Sequence, residues 1–172
     1  MNIFLPYEND IDKSVQSLDN LRLNKQILEV KTIISAINAY NADGAVKGYY
    51  NHPVTQFYKD NVNFLAHYGI ACCKEYLYRN DKEHSLNDYF IPFATSKCKF
   101  VPFYMEGSKG NGNYVRTTEN VGELFQKKLF NKWLNDKKEP SWGKREMPEF
   151  WIKEINIFEN YQKLLTRICN MV

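Results

Sequence analysis

Asp19, Arg22, Lys25, Gln26 and Glu29 recur at spacings of three and four near the start of the chain. On a helix that spacing puts them on one face. Within about three turns, roughly 15 Å, the face gathers two carboxylates, two cations and an amide. Such a set could bind phosphates, position a water, or pair with itself. The bland outcome is a solvated face laced with ion pairs. Leu23, Ile27, Val30, Ile34 and Ile37 draw an apolar stripe opposite it, which predicts a buried helix. With that stripe in the core, Arg22, Lys25 and Gln26 are expected to face a pocket.

Three later segments also carry chemistry. Asn51-His52-Pro53 closes a loop against a helix start. His52 could donate to a phosphate or titrate near neutral pH, or Asn51 or His52 could simply cap the helix. Lys109-Gly-Asn-Gly-Asn-Tyr-Val-Arg116 joins a flexible backbone to two cations and the Tyr114 ring. It could cradle a phosphate and stack a base, or be a plain connection. Trp142 stands among Pro140, Lys144 and Arg145. It could stack on a base, or fold back as a lid on the core.

The remaining histidines, His67 and His84, have no metal-ligand company at a useful spacing. Cys72, Cys73, Cys98 and Cys169 include no C-x-x-C pair, so they read as free, mostly buried thiols in a reducing compartment. No metal and no cofactor is expected. Phosphate-loop, nucleophile-elbow and zinc-helix motifs are absent from the sequence.

The elements that must position these groups are mostly helical. A first helix is expected from about Asp12 to Tyr40, breaking near Ser17-Leu18. Pro53 sits where a first helical residue is tolerated. An apolar helical face from Val54 runs to about Arg79, and a short helix spans Ser85 to Phe90. Asn120 with Glu123 predicts a capped helix to about Asn135. It carries Phe125, Leu129 and Trp133 inside and Lys127, Lys128 and Lys132 outside. A last helix opens at Pro148, with Trp151, Ile155, Phe158, Leu165 and Ile168 on one side. No convincing alternating strand is visible. The fold class is mainly α: one domain over residues 1–172, with long loops.

Composition narrows the partners. Of 172 residues, 44% are hydrophobic and 25% charged, which suits a globular chain with a sizeable core. No segment has the length and apolarity of a membrane span, and the start lacks a basic n-region. A cytoplasmic location is expected, that of the host cell if a phage encodes the chain. The net charge of +3 is unevenly placed. Residues 97–145 carry +6, against −2 before and −1 after. That segment is the electrostatic candidate for phosphate contact, enough for a short nucleic-acid footprint or a nucleotide.

Leu18-Asp-Asn-Leu-Arg-Leu-Asn-Lys-Gln26, then Gly48-Tyr-Tyr-Asn-His-Pro53, then Tyr68-Gly69 and Cys73-Lys-Glu-Tyr76 follow one another in order. Over roughly the first 80 residues this pattern resembles pyrimidine-dimer DNA glycosylases of the phage endonuclease V type. Pro140-Ser-Trp-Gly143 and Arg145-Glu-Met-Pro-Glu-Phe150 resemble phage members too. The resemblance implies a compact helical fold that binds duplex DNA, flips a base and breaks the glycosidic bond. In the type it resembles, an α-amine at the processed N-terminus attacks C1′ to form an imine, helped by a glutamate on the first long helix. An α-amine titrates near 8, so part of it is neutral and nucleophilic at neutral pH.

Two departures stand out. Asn2 is large enough that Met1 is expected to be retained, so Met1 would carry the amine. The family's glutamate position falls on Leu21. On this reading Arg22, Lys25, Gln26 and His52 hold phosphates, Asp19 or Glu29 assists, and Met1 or Lys25 supplies the amine. The alternative is a non-catalytic phage protein on the same scaffold that sequesters a small, possibly cyclic, nucleotide signal of host defence. The partner is then DNA or a small nucleotide. The sequence does not give the oligomeric state.

Overall fold

The computed structural model describes residues 2–95, 102–107 and 114–169. Among these, helices α1 (Ile11–Gln16), α2 (Asn20–Asp43), α3 (Pro53–Tyr58), α4 (Val62–Asn80) and α5 (Asn87–Phe90) precede a 3₁₀ turn at Ile91–Phe93. Strands β1 (Tyr104–Gly107) and β2 (Tyr114–Thr117) follow, then α6 (Val121–Leu134) and α7 (Glu149–Cys169). Among the described residues no helix is long and apolar enough to cross a membrane.

The expected break near Ser17-Leu18 is present. Asp19 caps α2, its Oδ1 accepting the Arg22 N–H at 3.1 Å. The α2 stripe is buried as predicted, with Leu23, Ile27, Val30, Ile34 and Ile37 at most 1% exposed. It packs along α4, which contributes Leu65, Tyr68 and Cys72. Gly69 makes room on α4 for the Phe90 ring of α5. A Cβ there would lie 2.9 Å from that ring.

A charged cluster holds the α1–α2 break. Glu75 of α4 accepts Arg79 Nε at 2.8 Å and Arg145 Nε at 3.0 Å on one oxygen, and Arg145 Nη2 at 3.0 Å on the other. Arg79 then donates to Leu18 O, Gln16 O and Asn20 Oδ1. From the loop before α7, Ser141 O accepts Asn20 N–H at 2.7 Å. The two arginines outweigh burial and hold the Glu75 carboxyl below its ordinary range.

Four local expectations need correction. The helical face from Val54 to Arg79 is two helices, because Lys59-Asp60-Asn61 turns the chain between them. Asn120 adopts φ +51° and makes no side-chain cap. Glu8 Oε1 accepts Gly122 N–H at 3.1 Å instead, from a segment distant in sequence. A two-stranded antiparallel sheet exists where no strand was expected, pairing Tyr104 with Thr117 and Met105 with Arg116. Strands of four residues are too short for alternation to stand out. On α7, Phe150 and Trp151 enter the core, but Phe158 is 41% exposed; the side chains of Leu165 and Ile168 lie outside the described residues.

Cys72 and Cys73 are buried free thiols, and burial pushes the Cys73 thiol up to about 12. Cys98 and the Cys169 side chain lie outside the described residues. Among those residues no three His, Cys, Asp or Glu side chains gather as a metal set.

Candidate functional site

The start of the chain runs beside α2 and is fastened to it by one side chain. Gln26 Oε1 accepts Phe4 N–H at 2.9 Å, and its Nε2 donates to Asn2 O at 2.8 Å. The Tyr68 hydroxyl of α4 shares its proton between Phe4 O and Gln26 Oε1. Gln26 Nε2 also reaches Glu29 Oε2 at 2.9 Å, and the same oxygen lies 3.3 Å from Asn2 N. The Glu29 carboxylate therefore meets the beginning of the chain.

A pocket of about 160 Å³ opens there, lined by Asn2, Phe4, Leu21, Arg22, Lys25, Gln26, Glu29, Lys132 and Asp136. Arg22, Lys25 and Gln26 all line it, Lys25 from an exposed position. Their roles differ. Gln26 is 1% exposed with both ends of its amide engaged, so it positions the chain start and has no donor left for a phosphate. Arg22 is 6% exposed and spends Nη1 on both Asp19 (2.9 Å) and Asp136 (2.5 Å). Burial opposes its charge, yet the two aspartates hold its pKa above the ordinary value. Its Nε and Nη2 have no protein acceptor among the described residues. Lys25 is exposed and has no ion pair there.

Asp19 does not join this set as an assisting carboxylate. It is 2% exposed, both oxygens serve Arg22, and it caps α2. Burial is the largest influence on it and raises its pKa despite Arg22. Glu29 is the carboxylate that lines the pocket. Leu21 lines it too and is 61% exposed.

The other expected residues lie elsewhere. His52 caps α3: its Nδ1 accepts Val54 N–H at 3.2 Å. Burial, with the positive chain terminus adding to it, pushes its pKa down. A neutral ring accepting through Nδ1 carries its proton on Nε2, where it could still donate. The ring lies 6.2 Å from that of Tyr49 and 6.1 Å from that of Tyr114, and Tyr114 is 36% exposed. Asn51 is exposed in the preceding turn. Arg116 rests over Phe57 and Phe103, 5.1 Å from each ring, which ties β2 to α3. Met1 and Lys109 lie outside the described residues.

Trp142 is the clearest correction. Its ring is 5% exposed, 5.5 Å from the Trp151 ring, and its indole N–H donates to Ser17 O at 2.9 Å. It is a lid on the core, because its one polar atom finds a buried carbonyl at the α1–α2 break. Lys132 and Asp136 are pocket residues that motif reading missed. The only pointer was the +6 charge of their segment.

The family model for pyrimidine dimer DNA glycosylase matches residues 1–88. No curated protein and no solved structure matches the chain. The matched segment supplies every pocket residue except Lys132 and Asp136, which come from α6 and the loop after it. Matched over half its length, the chain belongs to the pyrimidine dimer DNA glycosylase family.

Proposed function

We propose that this protein acts on damaged or modified bases in DNA through the α2 pocket, by base flipping and amine chemistry at the sugar. The observation that carries the reading is the meeting of Glu29 with the start of the chain, at 3.3 Å from Asn2 N, beside Arg22 and Lys25. In this reading the sugar of an extruded nucleotide enters the pocket. Lys25 and the unspent donors of Arg22 hold its flanking phosphates. An amine from Met1 or from a pocket lysine bonds to C1′ and the base leaves with the C1′–N electron pair; the C1′–O4′ bond then opens, its electron pair going to the ring oxygen, which takes a proton, and the nitrogen loses one to give the imine. Glu29 carries protons between amine, ring oxygen and leaving base. The part that Asp19 had in the sequence reading passes to Glu29.

Size supports DNA over a sequestered small nucleotide. A pocket enclosing a whole small ligand usually measures about 300–1,000 Å³. At about 160 Å³ this one suits a sugar or a single phosphate on a strand that remains outside. The non-catalytic alternative has one observation in its favour, the apolar Leu21 where the family glutamate would stand.

Borohydride trapping on abasic and lesion-containing duplexes, beside a thermal-shift screen of nucleotides, separates the two. A trapped covalent adduct is expected. No adduct, with a large shift by a mononucleotide or cyclic nucleotide, would overturn the reading in favour of the binder.

A further inference from the structure

The α2 pocket suits a sugar or a single phosphate, so a base extruded from the duplex has to be received elsewhere. Tyr49, His52 and Tyr114 form a row at the turn before α3 and the start of β2. His52 is in the middle, its ring 6.2 Å from that of Tyr49 and 6.1 Å from that of Tyr114. Both tyrosines are exposed. Neither has a stacked ring, a cation on its face or a hydrogen bond at its hydroxyl among the described residues. Tyr78, exposed as well, differs: Arg145 already lies over its ring at 4.1 Å. His52 also has one group to spare. Its Nδ1 is spent on capping α3, so the proton of the neutral ring is on Nε2, which meets no acceptor among the described residues.

The row stands on fixed supports. Tyr50, next to Tyr49, stacks on Tyr40 of α2 at 4.1 Å, and Gln56 Nε2 donates to Tyr50 O at 2.6 Å. On the other side Arg116, over Phe57 and Phe103, holds β2 against α3. Rings held in place lose little freedom when a ligand arrives. The chain start joins row and pocket: Asn2 lines the pocket, and the positive terminus bears on His52.

We infer that Tyr49, His52 and Tyr114 form a seat for one unpaired nucleobase of bound DNA, a tyrosine ring lying on the base and His52 Nε2 donating to its edge. It rests on the DNA reading proposed above and says where the base, as opposed to the sugar, is held. Every base has a π-face for a tyrosine ring, and every base carries an edge acceptor, such as N7 or N3 of a purine or O2 of a pyrimidine, for an N–H donor. Inside a duplex the π-faces are covered by neighbouring bases, so the row can take only a base that has left the stack.

The test compares the affinity of the full-length protein for two duplexes. One has an abasic site opposite a normal base, which is thereby unpaired. The other is abasic on both strands at that position and has no unpaired base. Wild type is expected to prefer the first by about tenfold or more, the worth of one stacked base. Replacing Tyr49 and Tyr114 together by Leu should bring the ratio close to one, and replacing both by Phe should keep it. His52→Asn still caps α3 but lacks the Nε2 donor, and should lower the ratio by about threefold. Tyr161→Leu, on an exposed ring of α7, should leave it as in wild type. The ratio is taken within one protein sample, so a partly unfolded variant remains readable. Equal wild-type affinity for the two duplexes, or a wild-type ratio in the double Leu variant, would overturn the seat. A borohydride adduct on wild type beside either result would leave the DNA reading standing. Failure of wild type to bind or be trapped on either duplex would overturn both.

Discussion

The Glu75–Arg79–Arg145 cluster and the α2 pocket use the same kinds of side chain and reach opposite states. In the cluster both Glu75 oxygens are occupied, and Arg79 spends its remaining donors on Gln16, Leu18 and Asn20. In the pocket Arg22 bonds through Nη1 alone, and neither Lys25 nor Lys132 has an ion partner among the described residues. A saturated charge cluster fixes geometry, whereas a pocket with unspent donors has capacity left for a ligand. What separates them is the loop 141–145, which closes over one and not the other.

The comparison breaks most visibly at Arg79. Arg79→Ala leaves the buried Glu75 with Arg145 as its one cation among the described residues and strands the carbonyls of Gln16 and Leu18. Breaking a buried pair costs about 3–5 kcal/mol, a fall in Tm of roughly 6–20 °C for a chain of this size. A melt within about 2 °C of wild type would show that the cluster does not hold the break. Trp142→Phe comes next. It leaves Ser17 O without its donor, which costs about 1–3 kcal/mol by chemical denaturation. Duplex affinity should be unchanged. Weaker binding with an unchanged melt would return Trp142 to the interface.

The smallest effect is a difference in sign with pH. Glu75 is held below its ordinary pKa, so its contribution is complete above about pH 4.5 and is lost as pH falls through the depressed value. Asp19 is held above its ordinary pKa, so its ionised form weighs against folding, and that penalty is relieved as pH falls through the raised value. Stability against pH from 3 to 7 should therefore lose part of its acid limb in Glu75→Gln, while Asp19→Asn should steepen it. Asn still caps a helix, which keeps the second variant readable. Parallel curves for the two variants would contradict the contrast.

Much of this was legible in the residues. The α2 stripe, the break at Ser17-Leu18 and the pocket face of Arg22 and Lys25 all follow from three-and-four spacing. Spacing does not say where a side chain's hydrogen bonds go. Gln26 reads as a phosphate ligand until the chain start lies against it, and Asp19 reads as an assisting carboxylate until Arg22 takes both its oxygens. Lys132 is 110 residues from Arg22 along the chain, and the docking of α6 on Pro6 and Glu8, with the Arg22–Asp136 ion pair, brings it round. Trp142 was undecidable because a basic, proline-flanked loop looks the same whether its ring points out or in.

The central claim is that the α2 pocket, and not the cluster beside it, receives DNA. The most direct measurement compares the affinity for an abasic duplex of Lys25→Ala with that of Lys144→Ala. Lys25 lines the pocket without an ion partner among the described residues, and Lys144 is exposed next to the cluster and paired with Asp81 at 2.5 Å. Lys25→Ala is expected to bind about tenfold more weakly, about 1.4 kcal/mol, with an unchanged melt. It should also lower the slope of log affinity against log salt by about one, from a wild-type value near −3.6 for about four phosphate contacts. Lys144→Ala should bind as wild type does. Wild-type affinity in Lys25→Ala, with the loss appearing in Lys144→Ala, would contradict the account.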